Sequence, residues 1–253
     1  MSELPVVSVQ NVSKSFRQNN GGSLEVLRDI SFNVAQGEII AVIGHSGCGK
    51  TTLLRIVCGF EPADGGDILL DGVKHTSPGK NALMLFQDFN QLLPWKTLLG
   101  NVMHPLTATK SIRSRQDARK HALKHIADVG LAGFEHSYPH QLSGGMKQRA
   151  AVARALALQP RVLLMDEPFA SLDNITREAL QILTKRICKN HGISALMVTH
   201  SVEEAIIMSD RIIVMDKNPG RVKAVVTPPS RGPNALAECA ESLKSLLKGQ
   251  NEL

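Results

Sequence analysis

The stretch GEIIAVIGHSGCGKTTLL, from Gly37 to Leu54, holds residues suited to binding a polyphosphate. An apolar run precedes a glycine-rich loop, whose backbone N–H groups can converge on phosphate oxygens. A helix that begins near Lys50 directs its positive end at the same anion. We therefore expect Lys50 to contact the β- and γ-phosphates of a nucleotide and the Thr51 hydroxyl to ligate Mg²⁺. The candidate binding residues are Gly44, His45, Ser46, Gly47, Cys48, Gly49, Lys50, Thr51 and Thr52, of which all but Thr52 form the pattern G-x-x-x-x-G-K-[ST].

A second segment, RVLLMDEPFASLD (Arg161–Asp173), places two acidic residues at the end of an apolar run. Ligands collect at the carboxyl ends of the strands in open α/β sheets. Asp166 is suited to the coordination shell of Mg²⁺, and Glu167 to polarising a water that attacks the γ-phosphate. The plainer alternative is an acidic pair at a strand end that caps the next element.

A third segment, QLSGGMKQRAAVARAL (Gln141–Leu156), places Ser143, Gly144 and Gly145 before a strongly helical run. This is a second helix N-terminus that can face an anion, and Ser143 can cap it or contact a phosphate. One nucleotide does not need two phosphate-binding loops from the same subunit. We therefore expect two copies to pair head to tail, each placing this loop over the nucleotide of the other.

Together the three segments resemble the ATP-binding subunit of an ABC transporter, and the resemblance runs from about residue 6 to 217. It implies an ATPase that uses ATP and Mg²⁺. By motif, Phe16 in VSKSF resembles the aromatic residue that stacks on adenine, and Gln87 in LFQD the glutamine near Mg²⁺ and the attacking water. Asp173 in SLD resembles the aspartate that communicates across the dimer, and His200 the histidine that contacts the γ-phosphate.

Each of these residues also has a plainer interpretation. Phe16 fits a core position, Gln87 fits a surface amide, and His200 fits a hydrogen-bonded histidine at the end of a strand. The segment also departs from the family pattern at Met146, where the signature most often has glutamine. Methionine has no amide donor, so we expect Ser143 and the two glycines to carry phosphate recognition.

The elements that position these motifs follow from short apolar runs. Runs with strand character alternate with helical patterns, which predicts a buried parallel sheet in an α/β fold. The N-terminal stretch to about residue 36 and the segment GGDILLDGV predict an antiparallel β layer, and residues 97–158 predict an inserted α-helical subdomain. The resemblance implies a P-loop NTPase core of the ABC ATPase type. The predicted strands are Ile39–Ile43, Leu83–Phe86, Val162–Met165, Ala195–Val198 and Ile212–Met215.

We expect an ATPase domain over residues 1–227 and a short helical tail over 228–253. In the tail, Asn234 is the predicted cap of a last helix. One face of that helix is predicted to contain Leu236, Leu243, Leu246 and Leu247.

Composition narrows the class of protein. The chain is 43% hydrophobic and 21% charged, as in ordinary soluble globular proteins. Its apolar runs fall short of the roughly 18 residues that a membrane span needs, and its N-terminus lacks signal-peptide character, so we expect it in the cytoplasm. The four cysteines are not paired in CxxC motifs, which argues against a zinc site or a disulfide framework. The chain has nine histidines. The eight other than His200 match no motif and are interpreted as surface residues.

A net charge of +6 favours anionic partners. The basic segment TKSIRSRQDARKHALKH has the spacing of a solvated helix face, so we predict no nucleic-acid partner; nucleic-acid binding is the alternative.

The segment DFNQLLPWKTLLGNV resembles the ATPases of importers for nitrate, sulfonates and taurine. In that family this region contacts a helix of the membrane permease, which implies docking near Leu92–Trp95. Trp95 is the only tryptophan, and an exposed apolar patch often marks an interface; the alternative is a locally buried aromatic residue. The resemblance implies a homodimer on the cytoplasmic face of the cell (inner) membrane. A solute-binding protein would contact the permease.

Other members of this superfamily fit less well. A DNA-repair or chromosome-organising ATPase would insert a long coiled coil between Lys50 and Ser143, an interval that holds no sustained heptads. A translation-factor type would carry two cassettes in one chain. An ATPase of an exporter or of a division-linked membrane complex remains the alternative to an importer.

Overall fold

The computed structural model describes residues 4–18, 21–87, 91–229 and 232–248. In chain order, the strands are β1 (Val7–Arg17), β2 (Ser23–Val34), β3 (Ile39–Ile43), β4 (Gly65–Leu70), β5 (Val73–Lys74), β6 (Ala82–Leu85), β7 (Val162–Asp166), β8 (Ser194–Thr199), β9 (Arg211–Met215) and β10 (Val222–Val226). The helices are α1 (Lys50–Cys58), α2 (Leu98–Ala108), α3 (Arg115–Asp128), α4 (Gly144–Leu156), α5 (Asn174–His191), α6 (Val202–Met208) and α7 (Pro233–Lys248).

The central sheet has the strand order β10-β9-β3-β8-β7-β6. Its strands from β9 to β6 run parallel, and β10 adds an antiparallel edge. Every residue of β3 and β8 is buried, which explains why the sequence shows continuous apolar runs instead of alternation. The predicted parallel sheet is therefore confirmed, with β6 beginning and ending one residue before the predicted Leu83–Phe86.

The predicted antiparallel layer is also present. It is a sheet with the order β2-β1-β4-β5, in which β1 pairs antiparallel with both β2 and β4. Residues 97–158 contain α2, α3 and α4 with a short 3₁₀ turn and no strand, as predicted. The hydroxyl groups of Thr97, Ser114 and Ser143 each accept a backbone N–H at the N-terminus of one of these helices.

The core lies on both faces of the central sheet. Side chains of β3 alternate between two hydrophobic clusters: Ile39 and Ile43 join one, and Ile40 and Val42 join the other. The first cluster includes residues of α2 to α6, and the second includes α1 and the antiparallel layer. The sheet is thus fixed on both sides, and its carboxyl ends are held in register where the candidate residues lie.

Helix α7 packs against the first cluster through Leu243, Leu246 and Leu247, and Leu236 is half-buried. The helix begins at Pro233, so the prediction that Asn234 caps it was wrong. Proline is favoured in the first helical turn because its fixed φ suits a helix and its missing N–H has no partner to lose there. Within the described ranges, none of the helices combines the length and apolar character needed to span a membrane.

The interpretation of the remaining histidines as surface residues was wrong for His125. Its side chain is only 2% exposed on α3. Burial and the neighbouring His121 lower the pKa of His125 to about 4, so its imidazole is neutral at pH 7.

Candidate functional site

The glycine-rich loop connects the end of β3 to the start of α1. Gly47 and Gly49 have φ values of +80° and +92°, in the left-handed region that favours glycine. A Cβ on Gly49 would lie 2.6 Å from Cδ2 of Leu27, so a larger residue would require the Leu27 side chain to move. The loop therefore brings backbone N–H groups and the N-terminus of α1 to one place.

Lys50 is buried inside this loop. Its Nζ donates hydrogen bonds to the carbonyl oxygens of Gly44 (2.8 Å) and His45 (3.0 Å). Residues of the loop, of α1 and of two neighbouring segments line a cleft at this point. The described residues that line it are Val26, Ser46, Gly47, Gly49, Lys50, Thr51, Thr52 and Glu167.

A pair of oxygen atoms beside the cleft has the spacing of a Mg²⁺ site. The Thr51 hydroxyl donates to Oδ1 of Asp166 at 3.1 Å. Adjacent oxygen ligands of octahedral Mg²⁺ lie about 2.9 Å apart, so these two atoms fit neighbouring coordination positions. Burial, together with the charge of Glu167, raises the pKa of Asp166. A cation at this position would favour the ionised carboxylate.

Glu167 and His200 follow the neighbouring strands β7 and β8. Nδ1 of His200 lies 3.2 Å from Oε2 of Glu167. Glu167 has φ +44°, which is unusual for a residue with a side chain, and its backbone N–H donates to the carbonyl of Val198 at 3.0 Å. Such backbone strain is common at functional sites. Here it accompanies a carboxylate that lines the cleft.

The segment that begins at Ser143 forms a separate cluster with the first turn of α5. Ser143 caps α4 by accepting the N–H of Met146 (3.3 Å), and Asp173 caps α5 by accepting the N–H of Thr176 (3.0 Å). That N–H lowers the pKa of Asp173. A Cβ on Gly145 would lie 2.6 Å from Cγ2 of Thr176. Ser143, Gly144, Gly145 and Asp173 are not among the described residues that line the cleft.

Of the remaining candidates, His45 and Cys48 belong to the loop, and Phe16 and Gln87 lie on other parts of the chain. Phe16 is 39% exposed on β1 and pairs with Leu24, two residues before the cleft residue Val26. Gln87 is exposed just beyond β6. Cys48 is buried, which raises the pKa of its thiol. His45 faces α7. Nε2 of His45 lies 2.7 Å from the carbonyl oxygen of Leu247.

Two positioning residues escaped the sequence analysis. Gln148, only 1% exposed on α4, donates from Nε2 to the carbonyl of Pro168 (2.9 Å) and so joins α4 to the residue after Glu167. Arg177 donates to the carbonyls of Leu172 (2.6 Å) and Phe169 (3.3 Å), which fixes the loop before Asp173. A signal for Gln148 was present: it is an amide at helical spacing from Ala151 and Ala155, on the buried face of α4.

The parallel sheet, the glycine loop that leads into a helix and the acidic residues on a neighbouring strand define a P-loop nucleotide-binding protein. A family model described as ABC transporter matches residues 27–170, and the chain belongs to that family.

The chain is 42% identical over 213 residues to the nitrate import ATP-binding protein NrtC of Synechococcus elongatus, with 84% of this chain and 32% of NrtC covered. It is also 42% identical over 213 residues to the bicarbonate transport ATP-binding protein CmpD of Synechocystis sp., with 84% and 75% covered. The expected resemblance to the nitrate importer branch is confirmed, and bicarbonate proteins are an addition to it. The chain spans about a third of the length of the NrtC and CmpC relatives that it matches, since the matched region covers 32% of each of them.

Among solved structures, the ATP-binding cassette MJ0796 in a dimeric post-hydrolysis state with ADP and Pi has a TM-score of 0.76. It is 31% identical to this chain, with 89% of this chain and 99% of MJ0796 covered. This similarity confirms the predicted fold.

Proposed function

We propose that this chain is the ATP-hydrolysing subunit of a membrane ABC importer for a small anion. The observation that carries the proposal is the convergence of three features on one cleft: the loop around Lys50, the Thr51–Asp166 oxygen pair and the Glu167 carboxylate beside His200. These groups differ in chemistry, and each suits a different part of a nucleoside triphosphate that undergoes hydrolysis: the phosphate oxygens, the Mg²⁺ ion and the attacking water.

In this proposal Lys50 exchanges its carbonyl partners for phosphate oxygens. Thr51 and Asp166 hold Mg²⁺, which neutralises charge on the β- and γ-phosphates when bound. Glu167 accepts a proton from water as the water oxygen bonds to the γ-phosphorus and the bond to the bridging oxygen breaks, so that ADP and phosphate leave. His200 orients the Glu167 carboxylate and contacts the γ-phosphate, Gln87 lies near the water and Mg²⁺, and Phe16 stacks on adenine.

The second phosphate-binding loop is supplied by a second copy of the chain. Ser143, Gly144 and Gly145 stand apart from the residues that line the cleft, which supports their action on the nucleotide of a partner. Asp173 lies beside them at the start of α5 and would contact that partner. The dimeric state of the related cassette MJ0796 supports a dimer here.

The docking surface for the membrane permease lies around Trp95, whose side chain is 70% exposed. Leu92, in the same predicted segment, is only 4% exposed and packs in the core. The proposed contact surface therefore consists of Trp95 and its exposed neighbour Pro94, and it excludes the buried Leu92. Docking would place the chain at the cytoplasmic face of the cell membrane, with a solute-binding protein on the far side.

The relatives named for nitrate and bicarbonate support a small oxyanion as cargo. The test is reconstitution of the chain with its permease and solute-binding protein in proteoliposomes, with labelled nitrate, bicarbonate and taurine. We expect ATP-dependent import of at least one of these anions, lost with Lys50→Ala and retained with the exposed control Glu178→Gln. ATP hydrolysis with outward movement, or with no solute movement, would instead support an exporter or a division-linked complex.

A further inference from the structure

Three histidines and a carboxylate meet where α3 contacts the C-terminal end of α5. His121, His125 and Asp128 follow one another at i, i+4 and i+7 on α3, a spacing that places them on one face of the helix. His191 is the last residue of α5 and faces the same carboxylate. Neither the nucleotide cleft nor the cluster at Ser143 includes any of these side chains.

The distances within this group suit a metal ion better than they suit a network of hydrogen bonds. Oδ2 of Asp128 lies 3.3 Å from Nδ1 of His125 and 3.6 Å from Nε2 of His191. One ligand atom from each of the three residues can be chosen so that all lie within 4.8 Å of one another. Two ligands of a tetrahedral zinc ion with bonds of about 2.05 Å lie about 3.3 Å apart, which matches the distance from Asp128 to His125 and is slightly shorter than the distance from Asp128 to His191.

Hydrogen bonding leaves two atoms at the centre of the group unsatisfied. Nδ1 of His125 and Oδ2 of Asp128 are buried, and neither has a hydrogen-bond partner in the structure. The two atoms lie 3.3 Å apart without forming a hydrogen bond to each other. Buried polar groups are almost always paired, so this pair of atoms requires an explanation.

We propose that Nδ1 of His125, Oδ2 of Asp128 and Nε2 of His191 bind one divalent cation of the zinc type, with water as the fourth ligand. Two imidazoles and one carboxylate are a ligand set that zinc accepts in tetrahedral geometry. The site is distinct from the Mg²⁺ site beside Thr51, whose ligands are all oxygen atoms.

The second nitrogen of His125 has a suitable outer partner. Its Nε2 lies 3.2 Å from Nε2 of His121, which also lies 3.1 Å from the carbonyl of Ala157. A cation on Nδ1 places the His125 proton on Nε2. Nε2 of His121 accepts a hydrogen bond from it when the His121 proton is on Nδ1, and in that tautomer His121 does not donate to the Ala157 carbonyl. Metal-bound histidines commonly make such a second hydrogen bond, which fixes the orientation of the ring.

Solvent can reach the site from one side. The side chains of Asp128 and His191 are each 29% exposed, and Asp128 lines a surface cleft between α3 and α5 with Ala179 and Leu183. An ion and its water ligand would reach the site by this route once the groups that bury Oδ2 of Asp128 move aside. Because two ligands come from α3 and one from α5, the bound ion would cross-link the inserted helical region to a helix of the core.

The experiment uses untagged protein treated with EDTA, without nucleotide or Mg²⁺, and titrated separately with Co²⁺ and Zn²⁺. We expect one equivalent to bind, the strong visible absorption of four-coordinate Co²⁺, and a higher melting temperature in micromolar Zn²⁺. Asp128→Asn and His191→Gln preserve side-chain size and should each weaken binding at least about tenfold and abolish the thermal shift. The matched control is His136→Gln, an exposed histidine outside the group, which should behave as wild type.

Circular dichroism checks that each variant is folded. Both substitutions alter partly exposed side chains, so we expect folded proteins, and one folded variant is enough to test binding. The proposal is overturned if wild type binds no equivalent of zinc at micromolar concentration. It is equally overturned if both folded ligand variants bind as tightly as wild type, or if Co²⁺ gives only the weak absorption of a six-coordinate ion. Those results would leave only a contact between the side chains of His191 and Asp128.

Discussion

Nδ1 of His200 lies within 3.2 Å of Oε2 of Glu167, although the two residues come from different strands. The parallel register pairs Asp166 on β7 with Val198 on β8, so the residues just after the two strands emerge side by side. This contact holds the carboxylate at the cleft while its backbone is in the left-handed region. The contact gives the carboxylate a defined partner beside the cleft, which is consistent with the proposed role of Glu167 as a general base.

We expect Glu167→Gln to bind ATP normally and to hydrolyse it about 10²–10⁴-fold more slowly, because an amide cannot accept the proton from water. The measurements are phosphate release and nucleotide affinity, with a size-exclusion profile in ATP, where the variant should accumulate as a dimer. Glu178→Gln, an exposed residue of α5, serves as the control. Hydrolysis by Glu167→Gln at the wild-type rate would remove Glu167 from the proposed role.

The effects of His200→Ala and Glu167→Gln should not add. In the proposed mechanism His200 acts partly through the Glu167 carboxylate. Removing His200 should therefore have a smaller effect on the rate when that carboxylate is already absent. We expect the double variant to hydrolyse ATP at a rate close to that of Glu167→Gln alone. A double variant whose loss equals the product of the two single losses would show that the residues act independently.

A change at Gly145 should be relieved by a change at Thr176. The Cβ of Gly145→Ala would lie 2.6 Å from Cγ2 of Thr176, a stiff β-branched side chain, and overpacking of this kind costs about 1–3 kcal/mol. Thr176→Ser removes that methyl group and keeps the hydroxyl and the N–H that Asp173 accepts. We expect the melting temperature to fall with Gly145→Ala and to recover in the double variant. No recovery would mean that the backbone at Gly145, and not the methyl contact, limits stability.

Much of this architecture was accessible from the sequence because local patterns determine it. Five runs rich in β-branched and other apolar residues became the parallel strands, since a strand covered on both faces is composed mostly of apolar residues. The Thr51–Asp166 contact could be anticipated in the same way, because ligands gather at the carboxyl ends of such strands. The exposure of Trp95 and the burial of Leu92 could not be anticipated, since the order of apolar residues in a loop does not reveal which side chain turns inward.

Contacts that depend on the packing of distant helices had no local signal. His121, His125 and Asp128 share one face of α3, but the basic composition of this helix led to the prediction of a solvated face. The group becomes recognisable only because His191 approaches from α5. The absence of paired cysteines argued against a zinc site, but that argument does not apply to ligands that are histidine and aspartate. Gln148 differs, because its place on the buried face of α4 was a local signal, and only its partner Pro168, on another element, could not be anticipated.

The proposed completion of each site by a second copy can be tested by mixing variants. Ser143→Arg should block hydrolysis while the isolated monomer keeps its affinity for ATP, and Lys50→Ala should lose nucleotide binding in its own loop. A mixed dimer of the two keeps one site with an intact Lys50 and an intact Ser143, and loses both at the other. We expect labelled nucleotide at one site per mixed dimer. An equal loss of ATP affinity in Ser143→Arg monomers would contradict a site shared between copies.

The last prediction separates a docking role for Trp95 from a packing role. Because 70% of the Trp95 side chain is exposed, Trp95→Ala should leave the melting temperature, ATP affinity and basal hydrolysis of the isolated chain unchanged. Aromatic residues at interface centres commonly contribute about 2 kcal/mol or more, so the assembled transporter should lose subunit affinity and transport. The matched control is Leu92→Ala in the same segment. Leu92 is only 4% exposed, and its truncation should cost about 2–5 kcal/mol of unfolding free energy.

Thermal unfolding of the two variants, measured beside their basal ATPase rates, therefore decides between the roles. A lowered melting temperature for Leu92→Ala with an unchanged one for Trp95→Ala, together with lost transport in the latter, places the permease contact at Trp95. If Trp95→Ala also unfolds at a clearly lower temperature, the indole contributes to packing. If its stability and its transport both match wild type, the permease must dock elsewhere on the chain.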